Sequence, residues 1–326
     1  MQVYKGFTVY KNGYGPVWVV LHSGPAISGS SRDDNSDIIA SICFERLGGT
    51  IVLSNLTRNL LSGIDFNRDV PPLDKAIGMY HKFAEKMLTR EIKEYKSKYA
   101  FVASNEKDYN ERLKLYKTMW SHIRNSGDFF IFLHRQFARL KNYPSVMDLI
   151  TFDSCGIKAE ILKKIVENVN AANEEFFTSI ERDFKNVTYI EEMRSILNDP
   201  SNEMLKNDMK IIEKYDKISF EKLSKEFTKK NFLAACRGVI EKMPKPLITL
   251  EKVFSAKSAI APKKEIIKSG KRIAIEVEVN SFMGGWYPEK AAEIILDIVG
   301  RIKEVAEYKR LGFTQTQILK FISSVS

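Results

Sequence analysis

Val17-Trp18-Val19-Val20-Leu21-His22-Ser23-Gly24 is the stretch that decides how this chain is read. Five apolar strand-formers end in a histidine, and small, flexible residues follow. A buried strand therefore delivers an imidazole to the start of a loop. In an open α/β sheet, ligands gather beyond the carboxyl ends of the strands. Upstream, Gly6, Gly13, Gly15 and Pro16 mark residues 1–16 as a short hairpin or extended lead-in. Downstream, residues 22–33 are too rich in Gly, Ser and Pro for regular structure. Asp33, Asp34 or Ser36 then caps a helix whose apolar stripe is Ile38, Ile39, Ile42 and Cys43. Gly48-Gly49 stops that helix, and Thr50–Leu53 is a second strand. Strand, helix, strand is the βαβ unit of a parallel sheet.

Later segments extend the pattern. A helix is expected over Leu73–Leu88, and residues 89–127 read as mostly helical with a short strand at Tyr99–Ala103. Phe129–Leu133 is an apolar run ending, like the first, in a histidine. Val146–Thr151 is a short strand, followed by helices over Lys158–Ala171 and Glu174–Lys185. Residues 186–270 read as largely helical and highly charged, broken at Asp199-Pro200 and Pro244-Lys245-Pro246. Ile273–Val279 alternates as a strand does. A loop at Asn280–Tyr287 leads into a terminal helix, Pro288–Ala306.

Composition narrows the classes. The chain has 326 residues, 44% hydrophobic and 28% charged, as in ordinary globular proteins. No apolar run reaches the length of a membrane span, and no apolar leader follows Met1, so the expectation is a cytoplasmic protein without membrane partners. Cys43, Cys155 and Cys236 are widely spaced and form no CxxC pair, which indicates neither a disulfide framework nor a thiolate metal site. The net charge of +10 raises nucleic acid as a partner. The bases are interspersed with acids, as in Arg90–Lys98 and Lys206–Lys230, which is how solvated helix faces look, so nucleic acid is not expected.

Three groups of residues carry chemistry. His22 and His134 each follow a strand-like run, and two imidazoles with one carboxylate are the protein ligands of many catalytic zinc sites. Asp33, Asp34 and Asp37 offer the carboxylate, although aspartate at a helix start also satisfies free backbone N–H groups. Arg58 and Asn67-Arg68 form the second group, because a guanidinium fork matches a carboxylate. Asp65 either orients Arg68 or ends a strand. Glu276 and Glu278 alternate on one strand and point to one face. One of them beside a metal is suited to proton transfer; alternatively both face solvent while Ile275, Val277 and Val279 face the core. His81 and His122, on helical patterns beside tyrosines and lysines, read as structural.

Taken in order, these segments resemble the N-formylglutamate amidohydrolase family, within the zinc carboxypeptidase and aspartoacylase-like superfamily. The family's Pro-His-Ser/Ala-Gly appears as Leu21-His22-Ser23-Gly24. Its acid leading a helix that ends in Leu-Gly aligns with Asp34, counting back from Leu47-Gly48. Its Ser-Arg…Asp-Leu-Asn-Arg appears as Thr57-Arg58…Asp65-Phe66-Asn67-Arg68. Tyr80-His81 falls where the family often carries a similar pair. The family's Asp-x-His-Ser is Phe132-Leu133-His134-Arg135 here, so Phe132 stands where an aspartate would. Its late Gln-x-Glu-x matches Glu276-Val277-Glu278-Val279, with Tyr287 as the tyrosine that follows.

The resemblance implies a single three-layer α/β domain over 1–326, with a mixed, mostly parallel sheet flanked by helices and with 186–270 as a charged helical insertion. It implies one Zn2+ held by His22, Asp34 and His134. Arg58, Asn67, Arg68 and Tyr287 would bind substrate, with Arg58 also polarising the scissile carbonyl and Glu278 acting as general base. The reaction implied is hydrolysis of an amide in a small anionic N-acyl amino acid. The alternatives are a metallocarboxypeptidase-like peptidase or a basic binding protein on an inactive hydrolase fold.

Overall fold

The computed structural model describes residues 1–26, 32–87, 89–152, 156–198, 201–254, 259–267 and 272–324. Among them, eight strands form one mixed sheet with helices on both sides, an α/β fold. The strands are β1 (Gln2–Val3), β2 (Phe7–Asn12), β3 (Val17–Val20), β4 (Gly49–Ser54), β5 (Phe129–Gln136), β6 (Ser145–Thr151), β7 (Leu247–Leu250) and β8 (Ile273–Asn280), in spatial order β1-β2-β4-β3-β5-β8-β6-β7. The central four, β4-β3-β5-β8, are parallel. The hairpin β1-β2 adds antiparallel on one side, and β6 runs antiparallel to β8 on the other. The lead-in is therefore a hairpin, and the opening βαβ unit stands with α1 (Ser36–Leu47) as its helix.

Strand alternation sorts the buried residues into two cores. One face carries Trp18, Val20, Ile131, Leu133, Ile275, Val277 and Val279. It packs on α1, on α5 (Ala159–Ala172) and on the long α12 (Pro288–Arg310). The other carries Val17, Val19, Leu21, Phe130, Phe132 and Ile150, and meets Tyr116, Met119 and Trp120 of α4 (Glu106–Asn125). Trp18 also donates from its indole to the Gly48 carbonyl at 3.0 Å, pinning the strand to the end of α1.

Several elements differ from the pattern-based expectation. Tyr99–Ala103 is a buried extended segment, with only an isolated bridge from Tyr99 to Asp69. Strand β7 lies within the stretch read as helical; Leu247-Ile248-Thr249-Leu250 follows Pro246 and pairs with β6. Asn280–Tyr287 holds the helix α11 (Ser281–Trp286), and Gln315–Ser324 forms a further one, α13. The break at Asp199-Pro200 and Cys155 lie outside the described residues. Cys43 and Cys236 are buried free thiols. No helix among the described residues is long and apolar enough to cross a membrane.

The charged segment contributes α7 (Asn202–Tyr215), α8 (Lys217–Lys225) and α9 (Lys229–Lys242), beside the long α6 (Glu174–Asn198). Glu192 of α6, fully buried, takes Arg139 in a two-pronged pair at 2.9 and 3.0 Å and accepts the Leu140 amide at 2.8 Å. Asp208 of α7 is buried against Glu192, and neither of its oxygens has a donor among the described residues. Burial, with the adjacent Glu192 charge, pushes the Asp208 carboxyl up to about 8. An acid raised by folding keeps its proton in the fold and loses it in the unfolded chain, so it lowers stability progressively as pH rises from about 4 towards that value. Asp208→Asn is expected to flatten this slope and to stabilise the protein near pH 8 by about 1–2 kcal/mol, or roughly 2–4 °C. Thermal melts at pH 5.5 and 8 measure it; an unchanged difference between the two pH values refutes it.

Candidate metal centre and anion cleft

Backbone contacts first bring the loops after β3 and β4 together. The Ser23 hydroxyl donates to the Ser54 carbonyl at 2.8 Å. A Cβ on Gly24 would fall 2.0 Å from the Leu56 carbonyl oxygen, so only glycine lets the two loops touch. That contact carries Arg58 and the Asp65–Arg68 segment up to His22.

His22 is buried, and both its ring nitrogens face carboxylates: Nδ1 lies 3.0 Å from Asp33 Oδ2 and Nε2 2.9 Å from Asp65 Oδ1. The same Asp33 oxygen lies 2.9 Å from His134 Nδ1, and the two imidazole centroids are 4.8 Å apart. His22, Asp33 and His134 thus offer three ligand atoms within 4.8 Å of one another, all from buried residues. Burial works against charge on His22, but Asp65 and Asp33 outweigh it and raise its pKa. Burial likewise works against the Asp33 and Asp65 carboxylates, and the histidines beside Asp33 and His22 beside Asp65 hold both well below the ordinary range. Two imidazoles and an ionised carboxylate fit a divalent metal, which would replace the protons now between these atoms.

The carboxylate in this group is Asp33, one residue before the Asp34 implied by the helix count. Asp34 is half-exposed and pairs with Arg135 at 2.5 Å, while Asp37 pairs with Arg32 at 2.8 Å. The reason is the route of the loop. The Asp33 amide donates to the His22 carbonyl at 3.0 Å, folding Asp33 back under the histidine. The helix N-cap is Asn35, left-handed at φ 67° and without a side-chain cap bond; Ser36 bonds the Asp33 carbonyl instead. The Asp33 carboxylate is therefore free of capping duty.

Strand register sets the next layer. His134 of β5 stands opposite Glu278 of β8, which stands opposite Asp148 of β6. His134 sits inside β5, two residues before its end, rather than beyond the strand. Glu276 and Glu278 are 2% and 8% exposed, so they do not face solvent, although Ile275, Val277 and Val279 do enter the opposite core. Their side of the sheet is that of the second core, to which Phe132 and Ile150, the strand neighbours of Glu276, belong. Each glutamate has one buried oxygen without a partner among the described residues. Burial raises both carboxyls, and Glu278 further through the charges of Glu276, Asp33 and Asp148. Asp148 is fully satisfied, accepting the amides of Lys252, Val253 and Phe254 and the Thr249 hydroxyl.

A cleft of about 270 Å³ opens over these groups and is bordered by Arg58, Asn67 and Arg68 on the β4 side and by Arg135 and Lys141 on the β5 side. Arg58 Nη1 lies 3.5 Å from Asp33 Oδ1. The Asn67 amide donates to Asp65 at 3.0 Å, and its side-chain oxygen is buried without a partner among the described residues. Asp65 thus orients His22 and the Asn67 backbone, a role that the Asp-x-Asn-Arg spacing does not reveal. Its only sequence signal was an acid two residues before the asparagine. Tyr287 is not at the cleft; it packs on Phe176 and Phe282 at the head of α12. His122 packs on Tyr4 and Phe7, and His81 on Tyr80, both away from the site. Phe132 belongs to the second core, against Trp120 and Phe152, and His134 Nε2 is buried with no partner among the described residues.

No family model matches this chain, and no curated protein matches it by sequence. Among solved structures it is similar to the gene product Atu2144 from Agrobacterium tumefaciens, with a TM-score of 0.44 and 9% identity over 93% of this chain and 96% of that one. It is also similar to N-formylglutamate amidohydrolase from Ralstonia eutropha JMP134, with a TM-score of 0.43 and 11% identity over 94% and 99% of the two chains.

Proposed function

We propose that this chain is a zinc-dependent hydrolase that cleaves the amide bond of a small anionic N-acyl amino acid, as the motif order resembling N-formylglutamate amidohydrolases implies. The meeting of His22, Asp33 and His134 in one buried group, beneath arginines and beside a glutamate, carries the reading. A zinc ion held by these three residues would supply Lewis-acid polarisation of the scissile carbonyl. Asp65 accepts the proton of His22 Nε2, which leaves Nδ1 as the ligating atom and fixes the ring. Arg68 and Asn67 bind the amino-acid carboxylate, and Arg58 faces the oxygen on which negative charge develops. Glu278 takes a proton from the attacking water at Oε2 and passes it to the leaving amine; burial raises its carboxyl, which suits the second half, and the positive charge of a bound metal would favour the ionised form that the first half needs. A cleft of about 270 Å³ favours a small acyl amino acid over an extended peptide.

The purified protein is expected to hold about one zinc per chain. Chelation should abolish, and zinc restore, its hydrolysis of N-acyl glutamates and aspartates. Absence of zinc from the wild type, or unchanged zinc in His22→Ala, overturns the proposal.

A further inference from the structure

Asp208 of α7 is 1% exposed, and no donor among the described residues reaches either of its oxygens. Its neighbour, Glu192 of α6, is already engaged: the Arg139 fork meets it at 2.9 and 3.0 Å and the Leu140 amide at 2.8 Å. Two carboxyls thus meet away from water beside one guanidinium. A carboxylate buried without a donor is costly, whereas a carboxylic acid supplies its own proton as the donor. Asp208 in that form hydrogen-bonds to Glu192, and this bond ties α7 to α6.

The same Glu192 fixes a piece of the cleft. Arg139 and Leu140 open the short turn Leu140–Asn142, and Arg139, Lys141 and Asn142 line the cleft over the histidines. Helix α7 packs directly on that turn, as well as on α8 and α9. The charged and titratable groups around Asp208 come from three elements: Glu191, Glu192 and Arg194 from α6, Arg139 and Lys141 from the turn, and Cys236 from α9. Burial and the two acids keep the Cys236 thiol protonated, and Lys141 and Arg194 are exposed, where solvent screens them. Arg139 is the cation in contact with Glu192, and its charge balances one carboxylate, not two.

We infer that Asp208 is a proton-held latch on the cleft: protonated, it bonds α7 to Glu192 and keeps the Arg139–Asn142 wall in place, and ionised, it sets a second negative charge against Glu192 and releases α7 together with that wall. The latched form keeps the Asp208 proton and the opened form gives it up to water. Opening therefore becomes easier as pH rises from the ordinary carboxylate range towards about 8, and levels off above it. The latch acts on the wall whatever ligand the cleft takes.

Hydrogen exchange of the full-length chain as purified, from pH 5.5 to 8 and with each amide corrected for its intrinsic rate, reads this opening. The amides of α7 and of Leu140 are expected to lose about tenfold in protection over that interval, while those of β5 and β8 stay better protected than α7 at every pH. In Asp208→Asn, where an amide N–H replaces the titrating proton, α7 and Leu140 should keep their protection across the same interval. Protection of α7 that is flat with pH in the wild type, that falls equally in Asp208→Asn, or that never differs from that of β5 and β8 overturns the latch. A fall confined to α7, with Leu140 unmoved, refutes the link to the cleft.

Discussion

Asp33→Ala is expected to lose the bound metal and to lower amide hydrolysis about 10³-fold or more, while Asp34→Ala keeps the metal. A factor of 10³ corresponds to about 4 kcal/mol of barrier, a reasonable cost for removing a ligand from a three-residue site. The two aspartates are neighbours in sequence and alike in chemistry, so the comparison isolates position. Asp33 is 5% exposed and is shared by His22 and His134; Asp34 is solvated and pairs with Arg135 and Arg32. Removing Asp33 also takes the carboxylate from His134 Nδ1 and leaves His22 with Asp65 alone. Zinc content by elemental analysis, alongside the rate, is the measurement. Zinc retained in Asp33→Ala, or lost in Asp34→Ala, contradicts the geometry.

Glu278→Gln is expected to lower kcat about 10²–10⁴-fold, the usual contribution of a general acid–base, with zinc content unchanged. The same change should stabilise the metal-free fold at neutral and alkaline pH. Burial and the neighbouring charges of Glu276, Asp33 and Asp148 raise the Glu278 carboxyl, so the fold retains a proton that the unfolded chain has released. Such a group erodes stability as pH rises above the ordinary carboxylate range, and a neutral amide of the same shape removes that slope. Loss of activity with a gain in melting temperature is the signature of a residue kept for chemistry rather than for packing. A variant that loses both, or that loses its metal, would assign Glu278 a structural role instead.

Much of the frame was legible because its signals are local. Val17–Leu21 is apolar throughout, as a strand covered on both faces must be, and Gly48-Gly49 permits the positive φ at which α1 gives way to β4. Phe129–Leu133 and Ile273–Val279 were read by the same logic. Strand β7 was not, since four residues between charged helices give too short a run to outweigh their surroundings. Asn280–Tyr287, read as a loop from Gly284-Gly285, is a helical turn because Asn280 caps it at the Phe282 amide and Phe282 and Met283 anchor it in the core.

The sequence by itself determined the β3–α1–β4 unit, the place of His22 at the lip of the sheet, and the arginines that follow β4, since each depends on residues close together in the chain. Only the tertiary structure decided which acid meets the histidines. That choice follows from one backbone bond, from the Asp33 amide to the His22 carbonyl, and not from spacing to the end of the helix. It also decided that Glu276 and Glu278 are buried. Alternation looks the same whether a strand's second face meets water or a second core, and here the second core lies on that face. Tyr287 fell on the far side of the sheet, and Asp65 and Lys141 came to the site, through contacts between segments that no local pattern records.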